Sequence, residues 1–238
     1  MDIKKHLLNH FNKHNHKNSH EACVSVVPIF NHLEQKQIDE VMDLTKSINY
    51  KKGELIFRAG YKSDSLYIVS TGKIRIYRLS ESGKEQLLRI LKPGDFTGEL
   101  ALFRESIHEN YAEAMIDTTV CTINRKDLQD LLQKYPAISL KILTEFSNRL
   151  EQSEKQTTRF ATEKVETRLA LYLAELVDEK SETMEVELPM TKKDLASYLG
   201  TTPETISRKL YELEDAGLIK QKQNRIIKII DLEELLLI

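Results

Sequence analysis

The stretch MTKKDLASYLGTTPETISRKLYELEDAGLIK, from Met190 to Lys220, constrains this chain more than any other. Its spacing predicts a short amphipathic helix from about Lys192 to Leu199, with Thr191 as N-cap and Leu195, Ala196 and Leu199 on one face. Gly200 ends that helix, because glycine enters the left-handed conformation without a Cβ clash. Thr202 then caps a second helix, and Pro203 takes its first position, where a missing N–H costs nothing. Glu204 falls in the first turn, where the helix dipole favours a carboxylate. Ile206, Leu210 and Leu213 recur at three- and four-residue spacing as the buried face, and Gly217 stops the helix. The segments 218–221 and 226–230 then read as two strands around Gln223-Asn224.

Helix, glycine turn, capped helix and β-ribbon is the pattern of a winged helix-turn-helix, whose second helix enters the DNA major groove by its N-terminal end. The residues exposed there are Thr202, Pro203, Glu204, Ser207 and Arg208. A glutamate accepts from cytosine N4, an arginine pairs in bidentate fashion with guanine, and a serine serves either role. Lys192 and Lys209 flank that surface, and Lys220, Lys222, Arg225 and Lys228 of the wing are expected to meet phosphates. A helical hairpin with a solvated charged face is the other reading of the same spacing.

The 238 residues suffice for one large or two moderate domains, and a net charge of −2 means that nucleic acid must be met by a local patch. No apolar run approaches the roughly 20 residues of a membrane span, and no signal-peptide core opens the chain, which implies a cytoplasmic protein. Walker, GxSxG and HExxH motifs are missing, so no enzyme is expected. A cupin-like enzyme needs a His/Glu metal set on its strands, where only His108 occurs, and no metal site is assigned.

Residues 1–24 form a polar tail rich in Asn and His (His6, His10, His14, His16, His20). A disordered or frayed segment is one reading, and a ligand stripe of His6, His10 and His14 is the other. A helix is expected from about Glu34 to Thr45. The period then drops to two, and glycines punctuate short strands up to about Asn124, as in a β-roll. Residues 25–134 are taken as this domain, closed by a helix from Arg125 to Lys134. Pro136 opens a long helix, residues 135–161. In it Leu143, Phe146, Leu150, Ser153, Thr157 and Phe160 alternate at coiled-coil spacing, and a break is expected near 160–162. The seam packs either against a second copy or against the roll. Residues 162–238 complete the winged domain, beginning with a helix from about Val165 to Val177. The fold class is therefore α+β: an N-terminal β-roll, a long helix and a C-terminal winged helix-turn-helix.

The segment YLGTTPETISRKLYELEDAGLI resembles the DNA-reading part of the CRP/FNR family of bacterial transcription regulators, and Glu204 to Arg208 (ETISR) is closest to its FNR-like, Flp-type branch. The resemblance extends through KKGELIFRAG, LYIVSTGKIRIYRL, LKPGDFTGELALF, TTVCTINR and YPAISLKILTEFSNRL, about residues 25–230 in all. It implies a β-roll of cyclic-nucleotide-binding type and a homodimer joined along the long helix, which is then the dimerisation helix. It also implies a palindromic operator with TTGAT-like half-sites read by Glu204, Ser207 and Arg208, and contact with RNA polymerase if the protein is an activator rather than a repressor.

In cAMP-binding members a Gly-Glu-Leu segment holds the ribose, and here it is Gly98-Glu99-Leu100. The cyclic-phosphate clamp, an Arg-Ser pair in those proteins, is Glu109 and Asn110 here. A carboxylate repels a phosphodiester, so cAMP is not expected. Family effector contacts near the long helix add Ser153 and Thr157 as pocket candidates. FNR holds an iron–sulfur cluster with four cysteines, whereas this chain has two, Cys23 and Cys121, both near former ligand positions. A four-cysteine cluster is therefore not expected, and no cofactor is assigned. A Cys23–Cys121 redox switch is one reading, and two unrelated small side chains is the other. The alternative function is a CRP-like regulator that responds to an unknown small ligand in the roll, with non-functional cysteines.

Overall fold

The computed structural model describes residues 27–178 and 183–238; Cys23 and the N-terminal histidines lie outside the described residues. The chain divides into two compact units, residues 1–79 with 88–147 and residues 80–87 with 148–238.

The first unit begins with α1 (Gln35–Asp43), capped by Glu34 and Gln37 in a capping box. Ten strands follow: β1 (Lys46–Tyr50), β2 (Leu55–Phe57), β3 (Lys62–Ser63), β4 (Ser65–Thr71), β5 (Ile74–Leu79), β6 (Glu85–Leu91), β7 (Phe96–Thr97), β8 (Ser106–Ile107), β9 (Tyr111–Ala114) and β10 (Thr118–Asn124). They form two four-stranded sheets, β1-β10-β4-β7 and β2-β9-β5-β6, and the small pair β3-β8. A short α2 (Leu100–Phe103) follows β7.

Alternation along β4 shows why the roll closes. Leu66 and Ile68 face one core with Phe30, Val41, Phe96, Cys121, Ile123 and Leu128. Tyr67 and Val69 face the other, with Phe57, Ile74, Ile76, Ala112 and Val120. A central strand buried on both faces fixes its own register, because a one-residue slip would exchange the two cores. α3 (Arg125–Lys134) has the expected bounds; the Asn124 side chain caps it by accepting from the Asp127 N–H.

α4 runs from Pro136 to Thr162, and Ile138 and Ile142 near its start are buried in the roll core. α4 ends at Thr162, within the break expected near 160–162, and Lys164 caps the next helix. Thr157 and Thr162 return their hydroxyls to carbonyls one turn back, which satisfies them without breaking the helix.

The second unit holds α5 (Val165–Glu175), α6 (Lys192–Tyr198), α7 (Pro203–Asp215) and α8 (Leu232–Leu236) with a sheet ordered β11-β13-β12. Its strands are β11 (Glu185–Glu187), β12 (Ile219–Gln221) and β13 (Ile226–Ile229). The wing thus has a third strand, β11, that the sequence pattern did not signal. Glu185-Val186-Glu187 is too short for period two to stand out, and it forms because it pairs with β13.

One buried histidine gives the roll a pH dependence. His108 stacks face-on against Phe57, with ring centroids 3.8 Å apart, and leans on Tyr67. Burial pushes its pKa below the ordinary value of 6.5, with Asp64 pulling weakly the other way. As pH falls below about 6.5 the unfolded chain takes up this proton first, so stability falls until the folded imidazole is protonated too. His108→Phe, which keeps the stacked ring, is expected to shrink the difference between urea midpoints at pH 7.5 and pH 5.5. An unchanged difference would remove His108 from the account.

Candidate nucleic-acid interface

α6 and α7 form as their caps dictate. The Thr191 hydroxyl accepts from the Asp194 N–H, and the Thr202 hydroxyl accepts from the Thr205 N–H. Pro203 opens α7, and Gly200 between the helices is left-handed at φ +69°. A Cβ there would meet the Phe160 ring at 3.2 Å, so glycine serves both the turn and the packing. Ile206, Leu210 and Leu213 are buried as the spacing predicts.

Opposite that buried face, Thr202, Pro203, Glu204 and Arg208 are exposed, with Ser207 half-buried beside them. The Glu204 carboxyl is held below the usual carboxylate value, first by its own backbone N–H and then by the Thr202 hydroxyl. It offers a carboxylate acceptor at the helix start. The Arg208 side chain is 67% exposed, and its Nε lies 3.7 Å from the Glu212 carboxylate. Such an exposed i,i+4 pair is worth about 0.3–0.5 kcal/mol, so it yields readily to a base worth about 1–3 kcal/mol.

Lys209, expected to flank the reading surface, is paired within the protein. Its ammonium donates to Glu166 of α5 at 2.9 Å and to Glu212. Those carboxylates raise its pKa, and the side chain is only 21% exposed. Lys209 braces α7 against α5. Lys192 donates to Gln221 Oε1 at 3.0 Å, and Gln221 in turn bonds Glu214, tying α6, α7 and β12 together.

In the wing, Asn224 and Arg225 turn the ribbon in the left-handed region, at φ 57° and 63°. Lys222 pairs with Glu185, and Arg225 Nη2 lies 3.8 Å from Glu187. Lys220 and Lys228 face each other across β12 and β13 and are both exposed. Like charges placed opposite repel, and a phosphate between them relieves that repulsion. Tyr211, off the buried face of α7 as its spacing predicts, is an exposed aromatic, and Gln221 is an amide paired with Glu214.

The roll candidates separate. Glu99 accepts from Arg89 Nη2 at 3.2 Å, and the same nitrogen reaches the buried Thr97 hydroxyl at 3.1 Å. Arg89 was not singled out from the sequence, because its place on β6 beside the Gly98 turn is set only by folding. Leu100 is exposed. Glu109 and Asn110 are bound at the surface by Arg78, through Nη2 at 2.7 Å and Nε at 3.1 Å. Ser153 and Thr157 are exposed on α4 and belong to the second unit, whereas Gly98 and Glu99 belong to the first. Cys121 is fully buried on β10 and is half of a disulfide. Among the described residues no group of acidic, His and Cys side chains could hold a metal.

Residues 47–135 match the model of the cyclic nucleotide-binding domain, and residues 167–238 match the Crp-like helix-turn-helix domain. A probable transcriptional regulator flp from Lacticaseibacillus casei is 37% identical over 215 residues, covering 90% of this chain and 97% of that one. The chain belongs to the CRP/FNR family. An anaerobic regulatory protein of Haemophilus influenzae is 33% identical, over 87% of this chain and 80% of its own. The structure of FixK2 from Bradyrhizobium japonicum superposes with a TM-score of 0.70 at 28% identity, covering 80% of this chain and 95% of that one. This CRP/FNR member is thus a DNA-binding transcriptional regulator and not an enzyme. No helix among its described residues is long and apolar enough to cross a membrane.

Proposed function

We propose that this regulator binds FNR-type palindromic operators as a homodimer in the cytoplasm, with Glu204, Ser207 and Arg208 of α7 reading a TTGAT-like half-site. The exposed face of α7, with a carboxylate and a weakly held guanidinium on one stripe, carries this reading. Leu143 and Leu150 of α4, 57% and 61% exposed at heptad spacing, support a helix seam between two copies. A dimer sets two recognition helices roughly 34 Å apart, one turn of duplex. As an activator it would also meet RNA polymerase.

Control is proposed to run through Cys121 and the chain's other cysteine, Cys23. Two thiols lose two protons and two electrons as the sulfur–sulfur bond forms, and a peroxide takes them up, leaving as an alcohol and water. Support comes from the disulfide at Cys121 and from the presence of one other cysteine in the chain. cAMP control is disfavoured, because Arg89 already engages Glu99 and Thr97 and because Arg78 holds Glu109.

The test is binding to a TTGAT-N4-ATCAA duplex and to a scrambled duplex, with and without a thiol reductant. Preference for the first duplex that changes with reductant, and stops changing in Cys121→Ser, is the expected result. Preference that ignores reductant rejects the switch and turns attention to a ligand in the roll. Equal binding to both duplexes rejects the operator.

A further inference from the structure

Tyr211 is 68% exposed in the middle of α7. It follows Glu204 and Arg208 at i+7 and i+3, so the three share the stripe opposite the buried Ile206, Leu210 and Leu213. Among the described residues no hydrogen bond, ion pair or ring contact engages it. Its neighbours leave little else to meet a polyanion there. Glu212 and the exposed Asp215 are acidic, Lys209 is bound to Glu166 and Glu212, and Arg208 lies towards the N-terminal end. Tyrosine also lowers helix propensity relative to alanine, so the isolated helix gains nothing from it at a solvated position.

A rise of 1.5 Å per residue puts Tyr211 about 4.5 Å beyond Arg208, on the part of the helix that leaves the base edges and passes the wall of the groove. A neutral phenol suits that wall. Its ring packs on deoxyribose, and its O–H donates to a phosphate oxygen without presenting a second negative charge.

We propose that Tyr211 is a phosphate-binding residue that sets the depth and register of α7 in the groove. This rests on the reading of α7 as the recognition helix. The full-length protein and its Tyr211→Phe, Tyr211→Ala and Arg208→Ala variants are titrated with the TTGAT-N4-ATCAA duplex and the scrambled duplex over a salt series, with thermal unfolding as control. Tyr211→Phe is expected to weaken binding to both duplexes by a similar factor, roughly 10-fold for one exposed hydrogen bond to a charged oxygen. The slope of log affinity against log salt stays unchanged, since no charge is lost. Parent-like affinity in both Tyr211 variants, while Arg208→Ala loses the TTGAT duplex, would make Tyr211 a solvated surface residue and overturn the proposal alone. A loss confined to the TTGAT duplex, relaxed at one base pair, would make it a base reader and overturn the phosphate assignment. If Arg208→Ala is also without effect, α7 is not the reading helix, and both proposals fail together.

Discussion

Gly98→Ala is expected to destabilise the β-roll by about 2–5 kcal/mol, from a left-handed penalty and a forced backbone shift. Gly98 sits at φ +84°, and a Cβ there would lie 2.3 Å from the Ser65 carbonyl oxygen and 2.9 Å from the Tyr67 ring. Neither neighbour gives way cheaply. Ser65 opens β4, and β4 pairs with β10 on one side and β7 on the other. Tyr67 packs in the inner core, where burial pushes its phenol up to about 12. The measurement is urea unfolding followed by far-ultraviolet circular dichroism, with hydrogen exchange of the β4 amides to assign the loss to the roll. The glycine of the Gly-Glu-Leu segment is then required by the backbone, whatever ligand its relatives hold. A loss below about 0.5 kcal/mol, the range of an ordinary surface change, would refute the close approach.

Arg208→Ala is expected to cut affinity for the TTGAT duplex by roughly 5- to 150-fold, the loss of a bidentate contact worth about 1–3 kcal/mol, and to relax preference at one base pair. Binding to a scrambled duplex is expected to fall much less, in proportion to one lost charge. Stability is expected to hold, because the Arg208–Glu212 pair is exposed and such pairs contribute little. Anisotropy titrations with single-base-substituted duplexes decide it. An equal loss on every sequence would move Arg208 from base reading to phosphate contact.

Much of the site was legible before folding was considered. The caps at Thr191 and Thr202, Pro203 at the helix start, Gly200 in the turn and the buried Ile206, Leu210 and Leu213 all follow from local rules, and the structure has them as read. α3 and the strand alternation of β4 were legible for the same reason: a cap, a period and a stop lie within ten residues of one another. What was not legible depends on partners distant in sequence. Arg89 meets Glu99 only because β6 and the Gly98 turn come together. Arg78 draws Glu109 and Asn110 to the surface from 31 and 32 residues away. Lys209 is bound by Glu166, 43 residues earlier, a partner that spacing along the chain does not signal.

The sequence by itself determined the caps and buried faces of the helix-turn-helix and the exposed stripe of α7. Helix caps, glycine turns and hydrophobic periods act within a few residues and need no tertiary context. Only the tertiary structure decided which charges are spent inside the protein and which remain for a ligand. An ion pair forms where two side chains come within about 4 Å, a distance set by the packing of whole elements and invisible to spacing along the chain. Arg208 and Lys209 are adjacent in sequence, yet one faces out with a weak partner while the other is bound between two carboxylates.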